Sequence, residues 1–318
     1  MKSRADLLVI DPSLMPKVPV WARQRGLVSH DADAAYLAGA ALNSLDNLVR
    51  QDLPWAGAWR QRLALQSAAA AVNLTGRRED ESALRDTYFL RGPGDDPGPA
   101  GHILMAWRRL ASRTTGCDEE KVRPVAEQHF GLHWDDGLAE VVANAEDMVV
   151  SSRPAPVLAA EIAATVYRAR PDAELLGFWL ADMLLAQKFR WSVPVPLLMG
   201  QAVSPVFKSG ENRKRIRPGA EGWGRAVFLA CAAAAAEACD LGADLAQRAA
   251  RLTEVAPKLR AKGSGDVIKL LLSDDAVPGS WSSPKLSARG ARRLFDRLGE
   301  LGAVRELSGR PTFRLYGL

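Results

Sequence analysis

Four arginines, Arg289, Arg292, Arg293 and Arg297, fall close together near the end of this 318-residue chain. Steps of three and four residues set them on one side of a helix. Guanidinium forks presented in that way match phosphate oxygens and the guanine edge, so the chemistry they suit is contact with a polyanion, duplex DNA above all. Lys285 stands just before them, and Arg310 and Arg314 follow on a predicted hairpin. These seven residues are the candidate DNA-binding set. A competing reading is a solvated helix face partly neutralised by Asp296 and Glu300.

The rest of the chain offers little other chemistry. His129 and His133 lie four apart, the step at which two imidazoles on a helix face can grip a metal. Gly131 lies between them, and no glutamate completes a HExxH pattern, so no metal site is expected. The glycines of Arg91–Gly101 lead into His102 and Ile103 instead of the Lys-Ser/Thr that a phosphate-cradling loop requires. No GxSxG elbow occurs. The acidic pairs Asp95/Asp96, Glu119/Glu120 and Asp135/Asp136 fall at loops or helix entries, where carboxylates suit the helix dipole. No catalytic residue, metal or other cofactor is predicted.

The elements that must position the arginines are legible in the apolar pattern. Ala291, Leu294, Phe295, Leu298 and Leu301 line the opposite face of a Ser287–Leu301 helix, which Gly302 caps. Ala303–Leu307 and Thr312–Tyr316 then read as two strands around a turn. Helix, strand, turn and strand make the ending of a winged helix-turn-helix. The Pro278, Gly279 and Pro284 of the preceding segment leave its second helix very short or absent.

Upstream, helix follows helix: 34–49, 55–74, 79–90, 102–112, 119–129, 137–150, 155–169, 174–189 and 226–252. The segment 174–189 is apolar on most sides and is expected to be the central buried helix. Lys208–Arg225, rich in basic residues and glycine, reads as a mobile loop. The fold class is therefore mainly α, a multi-helix body with a C-terminal winged helix-turn-helix-like domain. The expected divisions are a leader over 1–30, an all-helical domain over 31–255 and a winged helix-like domain over 256–318.

Charge follows that division. Residues 208–318 hold 20 Lys and Arg against 12 Asp and Glu, whereas residues 1–207 hold 22 against 25, so the basic excess belongs to the C-terminal part. Clustered positive charge favours a polyanionic partner through counterion release. With 47% hydrophobic and 25% charged residues, a globular protein is expected. The opening MKSRADLLVID lacks a long apolar core with a cleavage site. Cys117, Cys231 and Cys239 give neither a disulfide framework nor a metal spacing. A cytoplasmic protein with free thiols and no membrane partner is the expectation.

The segments WAGAWRQRLAL (55–65), GRREDESALRD (76–86), PGDDPGPAG (93–101) and the ending from Leu286 to Leu318 together resemble a bacterial family, the domain of unknown function numbered 1403. A remoter resemblance is to Fic-type proteins, which carry a helical catalytic domain and often a C-terminal winged helix. Placing Pro171 on the proline of the HPFx(D/E)GNGR motif sets Arg170 at the histidine, Glu174 at the acid, Leu176 at the asparagine, Gly177 at the second glycine and Phe178 at the arginine. That resemblance implies a scaffold without its chemistry, because a permanently protonated arginine cannot act as the base.

Three readings follow. The first is a non-enzymatic DNA-binding or regulatory protein that uses its basic end on double-stranded DNA, with the helical body binding a protein partner or forming a homo-oligomer. The second is a Fic-related nucleotide-binding or nucleotidyl-transfer enzyme with an atypical site. The third is a structural subunit whose winged end contacts protein.

Overall fold

Small side chains at helical spacing decide the longest packing seam of the molecule. The computed structural model describes residues 11–24, 26–92, 94–210 and 212–318. The opening residues 1–10, and Pro93 and Glu211 of the two glycine-rich runs, lie outside the described residues. Twelve α-helices occur among those described: α1 (Asp31–Val49), α2 (Ala56–Leu74), α3 (Glu81–Phe89), α4 (Gly98–Leu110), α5 (Glu119–His129), α6 (Asp136–Val150), α7 (Ala155–Ala169), α8 (Glu174–Phe189), α9 (Leu198–Gln201), α10 (Trp223–Val255), α11 (Ser264–Ser273) and α12 (Ala288–Glu300). The mainly helical class is thus as the apolar periodicity predicts.

α10 lies along α1. Ala34, Ala38, Ala41, Leu42, Leu45 and Leu48 of α1 are buried there, and α10 buries Ala235, Ala238, Gly242, Leu245 and Ala249. A β-carbon at Gly242 would come within 2.8 Å of Leu48 Cδ2, so this glycine sets how closely the two helices approach. Trp223–Lys258 is long and apolar enough to cross a membrane by length and composition, yet 67% of its most apolar window is buried inside the fold. Packing within the protein is a sufficient reason for its alanines.

Indole hydrogen bonds tie the other layers together. Trp59 Nε1 donates to Ala238 O (2.9 Å), Trp179 Nε1 to Ala106 O (3.1 Å) and Trp223 Nε1 to Ala160 O (2.8 Å), each joining two helices through a buried carbonyl. α8 is buried on nearly all sides, as its composition predicts. Asp80, Asp118 and Asp135 are N-caps whose carboxylates accept from Ala83, Lys121 and Leu138 amides. Capping accounts for Asp135, and Glu119 and Glu120 occupy a first turn.

Two boundaries differ from the sequence reading. α4 starts at Gly98, not His102, because a first turn tolerates Pro99, whose missing N–H would be unpaired there anyway. The Lys208–Arg225 run, read as a loop, contains a short hairpin in which β1 (Lys208–Ser209) pairs antiparallel with β2 (Lys214–Arg215). Arg215 forks onto Glu174 at 2.6 Å, and Arg217 donates to the Tyr167 hydroxyl at 2.8 Å. Two of the run's basic residues therefore fasten it to the body.

The chain ends in a three-stranded antiparallel sheet made from β3 (Val277–Pro278), β4 (Arg305–Glu306) and β5 (Leu315–Gly317), in the order β3-β5-β4. β4 and β5 are the two strands read from the sequence. β3 was not foreseen, since Pro278 and Gly279 look like breakers; as an edge strand it tolerates a proline. Between β3 and α12 there is no helix, only a turn closed by the Ser283–Leu286 bridge.

Candidate nucleic-acid interface

Ser287 starts α12 by accepting from the Gly290 amide at 3.2 Å. Gly302, at φ +64°, ends it, and the Ala303 amide returns to Leu298 O at 2.9 Å. Ala291, Leu294, Phe295 and Leu298 are buried, and Phe295 stacks on Tyr316 of β5 with ring centroids 4.6 Å apart. The apolar face thus seats α12 on the sheet, which leaves the arginines no direction but outward.

Arg289, Arg292, Arg293 and Arg297 are all exposed. Arg297 pairs with Glu300 at 2.9 Å; the other three have no ion pair among the described residues. Lys285 is exposed in the turn before α12. A cavity of about 500 Å³ separates α12 from the hairpin loop, with Arg292 and Asp296 on the helix side, and Phe313 and Arg314 on the loop side. The helix and the loop therefore present cations to the same cleft. Phe313 is 72% exposed and holds φ at +53°, a left-handed conformation unusual for an aromatic residue.

Arg310 is placed differently from the other six. Its guanidinium forks onto both carboxylate oxygens of Asp86 on α3 at 2.6 Å, and it also donates to Phe313 O. This bidentate pair fastens the loop to the body, so Arg310 positions the loop instead of offering a free cation.

A stronger fastening lies at the entry to the sheet. Asp275, buried to 1% at its side chain, takes a close ion pair from Arg62 of α2 and a second, at 2.6 Å, from Arg85 of α3. Its neighbour Asp274 receives Arg108 of α4 at 2.8 Å. Arg62 and Arg248 also donate to the Leu318 carbonyl. A β-carbon on Gly57 of α2 would lie 2.8 Å from the Ser273 backbone, so α2 and the end of α11 are in close approach. Sequence reasoning missed this cluster. The Asp274-Asp275 doublet after an apolar helix was visible, but its arginine partners stand about 170 to 210 positions away.

A family model described as a protein of unknown function (DUF1403) matches residues 7–318, nearly the whole length. The chain belongs to the DUF1403 family. No curated protein matches it. In this DUF1403 chain the window set against the Fic motif is core and staple: Leu176 and Phe178 are buried, and Gly177 backs onto Ala163. Arg170 is held by Asp135 and Asp172, which keep their carboxyls below the usual range by hydrogen bonding it and nearby amides.

His129 and His133 do not share a helix face in the DUF1403 chain. α5 ends at His129, whose ring lies 6.2 Å from that of His102, while His133 is exposed beyond it. Burial, then the charges of Arg109, His102 and Arg113, pushes His129 down to about 4, so it is neutral at neutral pH. All three cysteines are free and buried, and burial raises their thiols. They fill space as small apolar residues.

Proposed function

We propose that this protein binds double-stranded DNA without catalysing a reaction, through the outer face of α12 and the β4–β5 loop. The observation that carries the reading is the exposed set Arg289, Arg292 and Arg293 on α12, without ion pairs among the described residues, of which Arg292 lines a cleft with Arg314 of the loop. The order α11, β3, turn, α12, β4, β5, with β5 central, supports reading this end as a winged helix whose second helix has shrunk to a turn. α12 then takes the place of the recognition helix in the major groove, and the loop that of the wing. A DNA partner goes with a cytoplasmic location, with which free, buried thiols agree.

The test is duplex binding by fluorescence anisotropy across a salt series. Affinity is expected to fall steeply as salt rises, since each neutralised phosphate contributes about −0.9 to the log–log slope. Arg289→Ala with Arg293→Ala should weaken binding and flatten that slope by about 2. Arg297→Ala, whose charge is already paired with Glu300, should change it less. Salt-independent affinity, or a double variant that binds as the parent does, would end the DNA reading. The exposed Phe313 ring at the cleft favours a second reading, a protein partner on the same loop. Phe313→Ser would then abolish that contact and leave the salt slope on DNA unaltered.

A further inference from the structure

The body carries a second concentration of arginines that no part of the proposed DNA interface uses. A cavity of about 440 Å³ opens between α3, α4 and α5, with Arg91, Arg109 and Arg113 around it. None of the three has an ion pair among the described residues. Arg108, the fourth, is already engaged: it holds Asp274 and lies 3.8 Å over the Tyr88 ring. Gln61, 6% exposed, also lines the cavity, and its Oε1 has no hydrogen-bond partner among the described residues. Arg91 and Arg113 are exposed and Arg109 half-buried, so three guanidinium groups without carboxylate partners surround one space, beside a single buried amide oxygen left without a donor.

His129 lines this cavity and also a neighbouring one of about 470 Å³, whose walls include Ile103, Phe130 and Leu175. Its Nδ1 is buried without a partner. The two cavities thus meet at the His129 ring: the first is rimmed by cations, and the second has Ile103, Phe130 and Leu175 in its lining together with Asp172 and Glu174.

We propose that this double cavity binds a small phosphorylated molecule, its phosphoryl group held by Arg91, Arg109 and Arg113 and its organic part lying past His129 towards Ile103 and Phe130. Guanidinium forks match phosphoryl oxygens, and three of them suit a dianion better than a single carboxylate. The spaces are of the size small-molecule sites occupy. The free Gln61 Oε1 is an acceptor, so it would take a hydroxyl or amine of the organic part and not a phosphoryl oxygen. His129 is neutral at neutral pH and so adds a hydrogen bond without adding charge.

Titration calorimetry of the full chain with inorganic pyrophosphate, at constant ionic strength, tests the cationic half. Saturable binding, one per chain, is expected. Arg109→Ala with Arg113→Ala should weaken it at least about tenfold, the effect of losing one charge-assisted hydrogen bond or more. Arg91→Ala should weaken it independently. The double variant is expected to fold, because burial and Arg113 already disfavour the charge on Arg109; its urea midpoint should equal or exceed the parent's. Absence of saturable pyrophosphate binding, or equal binding by the double variant, overturns the proposal. So does a double variant that loses duplex DNA while the parent shows no affinity for pyrophosphate, since the arginines would then be a nucleic-acid track.

Discussion

Asp275→Ala should destabilise the protein by about 3–5 kcal/mol, the cost of leaving buried charges uncompensated. The carboxylate is 1% exposed at its side chain, and Arg62 and Arg85, at 13% and 9%, reach little water when it is removed. Arg62 keeps only the main-chain oxygens of residue 275 and Leu318 at 3.3 and 3.4 Å, while Arg85 keeps Glu81 at 3.8 Å. A loss of that size is a large fraction of the stability of an ordinary domain. Asp274→Ala should cost less, because that side chain is 25% exposed and Arg108 retains its stack on Tyr88. The urea midpoint at pH 7 measures both. Adding Arg62→Met and Arg85→Met to Asp275→Ala should recover much of the loss, since apolar groups of similar size carry no orphaned charge. A loss below about 1 kcal/mol for Asp275→Ala would mean that solvent reaches the cluster, and that the arginines do not fix the sheet to the body.

This joint bears on function because it sets where α12 stands. Asp275 lies one residue from Ala276 and two from β3, and the Arg310–Asp86 pair holds the far end of the sheet to the same helix α3. The basic face is thus carried on a sheet anchored at both ends. On the proposed DNA reading, weakening the joint should lower duplex affinity less than removing Arg289 and Arg293, because it costs orientation and leaves the cations in place.

How far the fold could be read in advance depended on the range of the interactions. α5, α7 and α8 have the limits that apolar period and capping residues give, since helix signals lie within a few positions of one another. The face of α12 and its Gly302 cap were legible for the same reason. β3 was not, because a two-residue edge strand carries too little pattern to outweigh Pro278 and Gly279. Arg310 looked like a free wing cation until its partner was found 224 positions away. The arginines of the second cavity come from beyond the end of α3 and from α4 and its C-terminal turn; Arg108, Arg109 and Arg113 stand close in sequence, but their spacing does not show that Arg108 is spent on Asp274 while the other two stay unpaired. Tertiary pairing decides which cations stay available, and pairing across such distances leaves no trace in spacing.

Asp182 is the clearest group of that kind, a carboxyl inside the apolar run of α8. It is wholly buried and accepts from the Leu197 and Leu198 amides at 2.9 and 3.0 Å, which fixes the chain as it enters α9. Burial pushes its carboxyl up to about 7, while the two amides pull the other way. Cys231 nearby is itself held protonated by burial and by Asp182. With its folded value above that of the unfolded chain, the native state binds the proton more tightly. Stability from this group is therefore fully present below about pH 4 and is lost as pH rises towards 7, by an amount on the order of 4 kcal/mol. Carboxylates such as Asp135, Asp172 and Asp118, held low by their partners, act in the opposite sense and lower stability as pH falls through their own range. Comparison with Asp182→Asn separates the two. The amide cannot titrate, so the difference in urea midpoint between parent and variant should shift in the variant's favour from pH 4 to pH 7. Asp182→Ala should be worse than Asp182→Asn at every pH, because two buried amides lose their acceptor and a cavity replaces it. A difference between parent and Asp182→Asn that is flat with pH would show that Asp182 stays ionised on folding. Its two backbone hydrogen bonds would then outweigh burial, and α8 would carry a charge in the centre of the core.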